Sequence, residues 1–361
     1  MVIGAGVVGT SVAYHLAKLG AKSVAVIERH TIGAGTTSQS SGILRTHYSV
    51  KENVELARAS WKIFDNFSEY LGDEELSCGL VKCGYMICAP EGERLEPLRA
   101  SLDAQLAMGI DVRLLSQREA TERLPIARFD DAALIGFEPE AGFADPYLVA
   151  TSFARAARRL GAHFFQNAQV TGLIQNGRRI TGVATTMGEI SCGVLISAQN
   201  IWISELASWM GIKVPVSAER HAVLALECAS EYSYQMPVLK DLASSGMLYY
   251  RSYGGRQMLV SEGNAGEVLT SADTDPGDIS LDYVVEVGAQ VLKRFPTYEE
   301  AGLASSWSGI YDVTPDWNPV LGRIADYENI VIGFGFSGHG FKLSPCVGKL
   351  LAQCALARHT D

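Results

Sequence analysis

Val2-Ile3-Gly4-Ala5-Gly6-Val7-Val8-Gly9, continued by Val12, Ala13, Leu16 and Leu19 at helical spacing, is the stretch that decides the fold. It matches G-x-G-x-x-G between β-branched residues and an apolar helical stripe that Gly20 stops. The run Ser23-Val24-Ala25-Val26-Ile27-Glu28 then reads as a buried parallel strand, with an acid 19 residues beyond the third glycine. Each residue type has a physical task there. Gly4 permits the tight turn, Gly6 lets a pyrophosphate approach the backbone, Gly9 lets the helix pack on the strand, and Glu28 accepts from a ribose diol. The pattern predicts a Rossmann-like, dinucleotide-binding start. Only three residues precede Gly4, so the expectation is a short central strand, or a start codon placed downstream of the true one.

Working outward, 361 residues suggest two domains and an ample core. The chain is 47% hydrophobic and 19% charged, which excludes an intrinsically disordered protein. Its 36 glycines have no period of three, which excludes collagen, and no window approaches the ~18 apolar residues of a membrane span. A net charge of −10 lacks the footprint of a nucleic-acid binder. The clusters at Arg155, Arg158, Arg159 and at Arg178, Arg179 read as solvated faces. Seven cysteines contain no C-x-x-C pair, and Cys78, Cys83 and Cys88, each five apart, suit neither zinc nor a disulfide framework. Reduced thiols, no metal site and a cytoplasmic location are therefore expected. No signal peptide is expected either, because Met1-Val2-Ile3 runs directly into the glycine loop.

The residues after Glu28 separate the nucleotides. Gly33-Ala34-Gly35-Thr36-Thr37-Ser38-Gln39-Ser40-Ser41-Gly42 is a second loop of small hydroxyl residues and glycine, suited to a long cofactor lying extended. Further on, Gly142-Phe143-Ala144-Asp145-Pro146 starts a helix with Asp145 as N-cap and Pro146 at its first position. That helix ends at Gly161, and short strands follow, broken at Asn176-Gly177 and Met187-Gly188. Near the C-terminus, Thr314-Pro315-Asp316-Trp317-Asn318-Pro319-Val320-Leu321-Gly322 precedes a strand from Asn329 to Ile332, then Gly333-Phe334-Gly335-Phe336-Ser337-Gly338-His339-Gly340-Phe341-Lys342-Leu343-Ser344-Pro345. Over nearly its whole length the chain resembles the FAD-dependent amine and amino acid oxidoreductases, the superfamily of sarcosine oxidase, glycine oxidase, dimethylglycine dehydrogenase and D-amino acid oxidase.

The resemblance implies an α/β fold: a Rossmann-like FAD-binding domain with a β-meander, plus a second α+β substrate domain whose mixed sheet roofs the flavin. It implies segments 1–77, 141–212 and 305–361 for the first domain and 78–140 and 213–304 for the second. The cofactor contacts it implies are Gly4, Gly6, Gly9, Glu28, Arg29, Thr36, Thr37, Ser41, Gly42, Val170, Gly309, Gly338, His339, Gly340, Phe341 and Lys342. The amides and dipole of the helix opened by Ser337–Gly340 suit the negative charge of a reduced flavin. Arg45 and Lys342 are implied as a clamp on a substrate carboxylate, orienting a C–H bond toward flavin N5. His339 and Tyr250 complete the implied catalytic set, with Tyr249 and Arg251 beside it and His47 and Tyr48 more distant candidates.

Four positions depart from relatives. Gln39 stands where dimethylglycine dehydrogenase relatives attach FAD to histidine, and Gly309 stands near the cysteine of monomeric sarcosine oxidases, so FAD is expected to be non-covalent. Leu259 aligns with the lysine that promotes reaction with oxygen, which favours a dehydrogenase with another electron acceptor. Asn200, in Ala198-Gln199-Asn200-Ile201-Trp202, replaces a glycine, and asparagine tolerates left-handed backbone. The expected reaction is hydride transfer from the carbon beside nitrogen in a small amino or N-methyl amino acid, with no dedicated base obvious. The alternatives are a 2-hydroxy acid dehydrogenase and a flavin-binding subunit of a hetero-oligomeric oxidase. A homo- or hetero-oligomer fits either.

Overall fold

The computed structural model describes residues 1–228, 236–263, 266–274 and 277–357. Val2–Ile3 is a two-residue strand, buried and central. It pairs in parallel with Leu195–Ser197 on one side and Ala25–Ile27 on the other. The sheet continues outward through Ile330–Phe334 and the antiparallel Val320–Arg323 at one edge, and through His163–Phe165 at the other. Strands buried on both faces need continuous apolar runs, and Ile330–Phe334 is buried at every position.

Helix Val7–Lys18 leaves the glycine loop and packs against the C-terminal helix Gly340–Leu356. The approach is close: a Cβ on Gly348 would lie 2.1 Å from Ser11 Oγ. Asp145 caps the helix Pro146–Arg159 by accepting from Leu148 N at 2.9 Å, with proline in its first turn as expected. After Gly161 comes an antiparallel meander of Val170–Asn176, Arg179–Thr185 and Gly188–Ser191, turning at the two expected glycines.

The second sheet is mixed. Among the described residues it runs from Glu267–Val268 through Ser217–Glu227, Gln257–Ser261, Tyr249–Tyr253, Val238–Asp241, Tyr85–Ala89 and Leu134–Glu138 to Arg113–Leu114. The long strand Gly302–Val313 pairs along the whole of Ser217–Glu227. That strand crosses the boundary expected between 304 and 305, and residues 305–313 pair within the larger sheet. The expected α/β architecture, with a mixed sheet beside a doubly wound nucleotide-binding unit, is the one observed.

Candidate functional site

Glycine is required at the first loop by close approach. Gly4 has φ +95°, and a Cβ there would stand 2.6 Å from Ala198 O; on Gly9 it would stand 1.9 Å from Gly4 O. Val7 N donates to Thr37 Oγ1 at 3.1 Å, which joins the first loop to the second. The Glu28 carboxylate accepts from Ala5 N and His30 N, both at 2.8 Å, fixing it at the end of its strand with acceptor capacity to spare. Glu28, Arg29, Thr36, Thr37 and Val170 line a cavity of about 350 Å³. The Arg29 guanidinium lies 4.1 Å from the Trp202 ring, and Asp273 accepts from both, at 2.9 Å from Arg29 and 2.7 Å from Trp202 Nε1. Neither Trp202 nor Asp273 was expected here. Asn200 adopts φ +55°, the left-handed turn that glycine would supply, and its side-chain oxygen accepts from Ile201 N at 2.7 Å.

A second cavity, of about 300 Å³, shares Gly6, Thr36, Thr37, Gln39, Ala198, Asn200 and Ile310 with the first, so the two form one elongated channel. Ser41, Gly309 and Gly338 through Lys342 all line it. Gly338 has φ +78°, and a Cβ there would meet the Tyr311 ring at 2.3 Å. Pro345 cannot donate to Phe341 O inside the helix, and Ser344 Oγ takes that carbonyl at 2.8 Å. Asp312 holds the loop from below, accepting from Gly335 N at 2.6 Å; burial pushes its carboxyl up to about 6, against the hydrogen bonds of the loop amides. A long dinucleotide fits this channel on two observations. The glycine cradles exclude Cβ atoms, and two buried ring nitrogens of its wall, His339 Nδ1 and His221 Nε2, have no hydrogen-bond partner among the described residues. Gln39 and Gly309 are neighbours, 3.6 Å from a Cβ built on Gly309 to Gln39 Cβ.

Arg45 and Lys342 reach the same cavity from different elements. Lys342 is 8% exposed, its Nζ 3.4 Å from Gly338 O. Burial pushes its ammonium far down and the nearby Arg45 adds to this. Burial also opposes the Arg45 guanidinium, but Tyr249, Tyr85, Tyr48 and Glu138 outweigh it and raise its pKa. Arg45 donates to His47 O and lies 4.7 Å from the Tyr48 ring. Glu138 accepts from Thr46 N at 2.7 Å and Thr46 Oγ1 at 2.5 Å, and burial raises its carboxyl to about 7.

Tyr250 and Gly42 are not among the residues that line the channel. Tyr250 is fully buried on the other face of its strand, 4.8 Å from the Phe295 ring, while its neighbour Tyr249 enters the cavity. Successive strand residues point to opposite faces, so only one of the two could do so. Gly42, at φ +68°, lies under Ala144 O, 2.2 Å from a built Cβ, and serves chain packing rather than the channel wall. Leu259 is buried against Val223, Ala225 and Trp307. His221 and Tyr311, stacked at 3.9 Å, lie on paired strands, and neither strand's sequence marks them out from its other polar residues.

A family profile described as FAD dependent oxidoreductase (DAO) matches residues 1–354. The chain is 29% identical to human mitochondrial sarcosine dehydrogenase over 98% of its own length and 39% of that protein, so it spans about two fifths of that relative. It is 28% identical to sarcosine oxidase subunit beta of Arthrobacter sp, over 98% of this chain and 85% of that one. L-proline dehydrogenase from P. horikoshii superposes with a TM-score of 0.89 at 27% identity, covering 98% of this chain and 91% of that one. Glycine oxidase from Geobacillus kaustophilus, at 23% identity, shares the fold with a TM-score of 0.86, over 99% and 94%.

Proposed function

The chain belongs to the FAD-dependent oxidoreductase family, and from that premise we propose that it oxidises the C–N bond of a small amino or N-methyl amino acid. When bound, FAD supplies the hydride acceptor; the chain supplies binding, orientation and charge. The first loop and Glu28 hold the nucleotide end, and the loop Gly338–Lys342 with the helix behind it holds the flavin end. The observation that carries the substrate class is the pair of Arg45 and Lys342. Both are basic side chains in one buried cavity, and the charge of Arg45 disfavours that of Lys342. Among the described residues neither enters a salt bridge. A substrate carboxylate neutralises both and fixes its own orientation, which is how binding energy is converted into alignment.

Relatives named sarcosine dehydrogenase, sarcosine oxidase subunit beta and L-proline dehydrogenase support this class of amine. Leu259 in place of a cation favours a dehydrogenase. Gln39 and Gly309 favour non-covalent FAD, which acid precipitation should strip completely. The subunit name of one relative supports assembly with other chains, and seven free thiols support a cytoplasmic location. The test is anaerobic bleaching of the yellow protein by sarcosine, proline and D-alanine. Bleaching by a 2-hydroxy acid alone would replace the amine with an alcohol, and no bleaching by any would leave a flavin-binding subunit without turnover.

A further inference from the structure

Tyr249 lies against one basic side chain and shares a cavity with another. Lys240, on the strand Val238–Asp241, is in register with it, and Lys240 Nζ lies 3.7 Å from the centre of the Tyr249 ring. The ammonium is 6% exposed at the residue level and donates to Met247 O at 2.6 Å. Its position depends on a glycine: a Cβ on Gly263 would lie 1.7 Å from Lys240 Nζ and 2.9 Å from Tyr249 Cε2. Arg45 lines the same cavity as Tyr249, and its positive charge acts on the same phenol. Tyr249 and Gly263 both line the cavity that holds the proposed carboxylate clamp. A surplus of positive charge around one phenol, in a site shielded from water, stabilises the phenolate.

Building on the amine reading above, we propose that Tyr249, packed against Lys240 in the cavity that Arg45 also lines, is the base that takes the proton from the substrate's ammonium nitrogen, and that Lys240 is its positioning residue. An N–H bond of the ammonium breaks, its electron pair stays on nitrogen, and an O–H bond forms on the phenolate. A cation and an anion thereby become two neutral groups. The freed lone pair then drives the neighbouring C–H hydrogen, with its two electrons, toward bound FAD as the oxidant, leaving an iminium that water hydrolyses.

The surroundings support this. Tyr249 is faced by Lys240 and Arg45, by the phenols of Tyr85, Tyr48 and Tyr311, and through Arg45 by Glu138; Glu262, at the cavity edge, is bonded to Tyr283. Burial pushes the Tyr249 phenol up, and the two cations more than reverse this, lowering it to about 8. Burial also pushes Lys240 down. The guanidinium stays charged at every working pH, so the direction at Tyr249 holds.

Two measurements on the FAD-loaded protein test the proposal. In ultraviolet difference titration near 295 nm, the wild type should show a phenol ionising below the ordinary tyrosine range, absent from Tyr249→Phe. Removing the cation with Lys240→Met, or displacing it with Gly263→Ala, should move that ionisation up by about one to three pH units, and Lys240→Arg should restore it. Identical titrations for wild type and Tyr249→Phe would overturn the proposal. In anaerobic flavin reduction by whichever of sarcosine, proline or D-alanine bleaches the protein, the acidic limb should move up in Lys240→Met. Tyr249→Phe should be roughly 100-fold slower. An unchanged pH profile in Tyr249→Phe would also overturn it. If no amine bleaches the protein, the substrate reading fails and the proton transfer with it, while the titration still decides separately whether the two cations hold a phenolate.

Discussion

Arg45 and Lys342 divide one task, and a substitution at either is expected to weaken substrate binding. Arg45→Ala should raise KM for a carboxylate-bearing amine roughly 100-fold while FAD stays bound, since truncating one partner of a buried charge pair costs about 2–5 kcal/mol. Steady-state kinetics alongside the flavin spectrum check both halves, and unchanged KM would take Arg45 out of the clamp. Tyr250→Phe should do the opposite. Its hydroxyl is buried without a partner and faces away from the channel, so kinetics should stay within about twofold and stability should hold or rise by about 1 kcal/mol in urea unfolding. The sequence places the strand around Tyr249 beside the site but leaves its phase open, because Tyr249-Tyr250 carries the same side chain on both faces. Lys240 is equally illegible there: a lysine in Val238–Asp241 reads as a solvated strand position until the partner strand is known.

Among the elements, the loops are the most legible and the strands of the roof the least. Gly4, Gly6 and Gly9 are readable because a glycine loop followed by a helix has few other physical uses, and the meander is readable from its turns. Gly9→Ala should lose FAD, because the added methyl meets the backbone oxygen of Gly4 rather than a side chain that could move. The ratio of flavin to protein absorbance checks this, and full retention would contradict the close-packing argument. The larger sheet resists sequence reading because its order is set by pairings between distant segments. Tyr85–Ala89 lies parallel to Val238–Asp241, and no local pattern announces that. Gly302–Val313 shows the same limit, since a strand that crosses an expected domain boundary looks locally like any other strand.

At the scale of the whole molecule, acid should be more damaging than the composition implies. His15, on the helix Val7–Lys18, is buried against Tyr70, with Nδ1 2.7 Å from Ser11 O and Nε2 2.7 Å from the Tyr70 hydroxyl. The carbonyl requires the proton on Nδ1, so Nε2 accepts from the phenol. Burial lowers its pKa from 6.5 to about 4. Above pH 6.5 both folded and unfolded chains are neutral at this residue. As pH falls from 6.5 to 4 the unfolded chain takes the proton first, and up to about 3 kcal/mol of stability is lost. His15→Gln should flatten that part of the profile in urea unfolding followed from pH 7 to pH 4, and a parallel decline in both proteins would show that His15 does not contribute.

The nucleotide-binding sheet also has a history in time. Val2–Ile3 is translated early, yet its neighbour on one side is Leu195–Ser197, whose own outer neighbour is Ile330–Phe334. At ribosomal speed the interval between the first and last of these is roughly twenty seconds to a minute. Throughout it the glycine loop sits beside an unpaired apolar strand edge, the kind of surface that recruits chaperones or other nascent chains. Completion of the cofactor-binding sheet therefore waits on its last parallel strand, Ile330–Phe334.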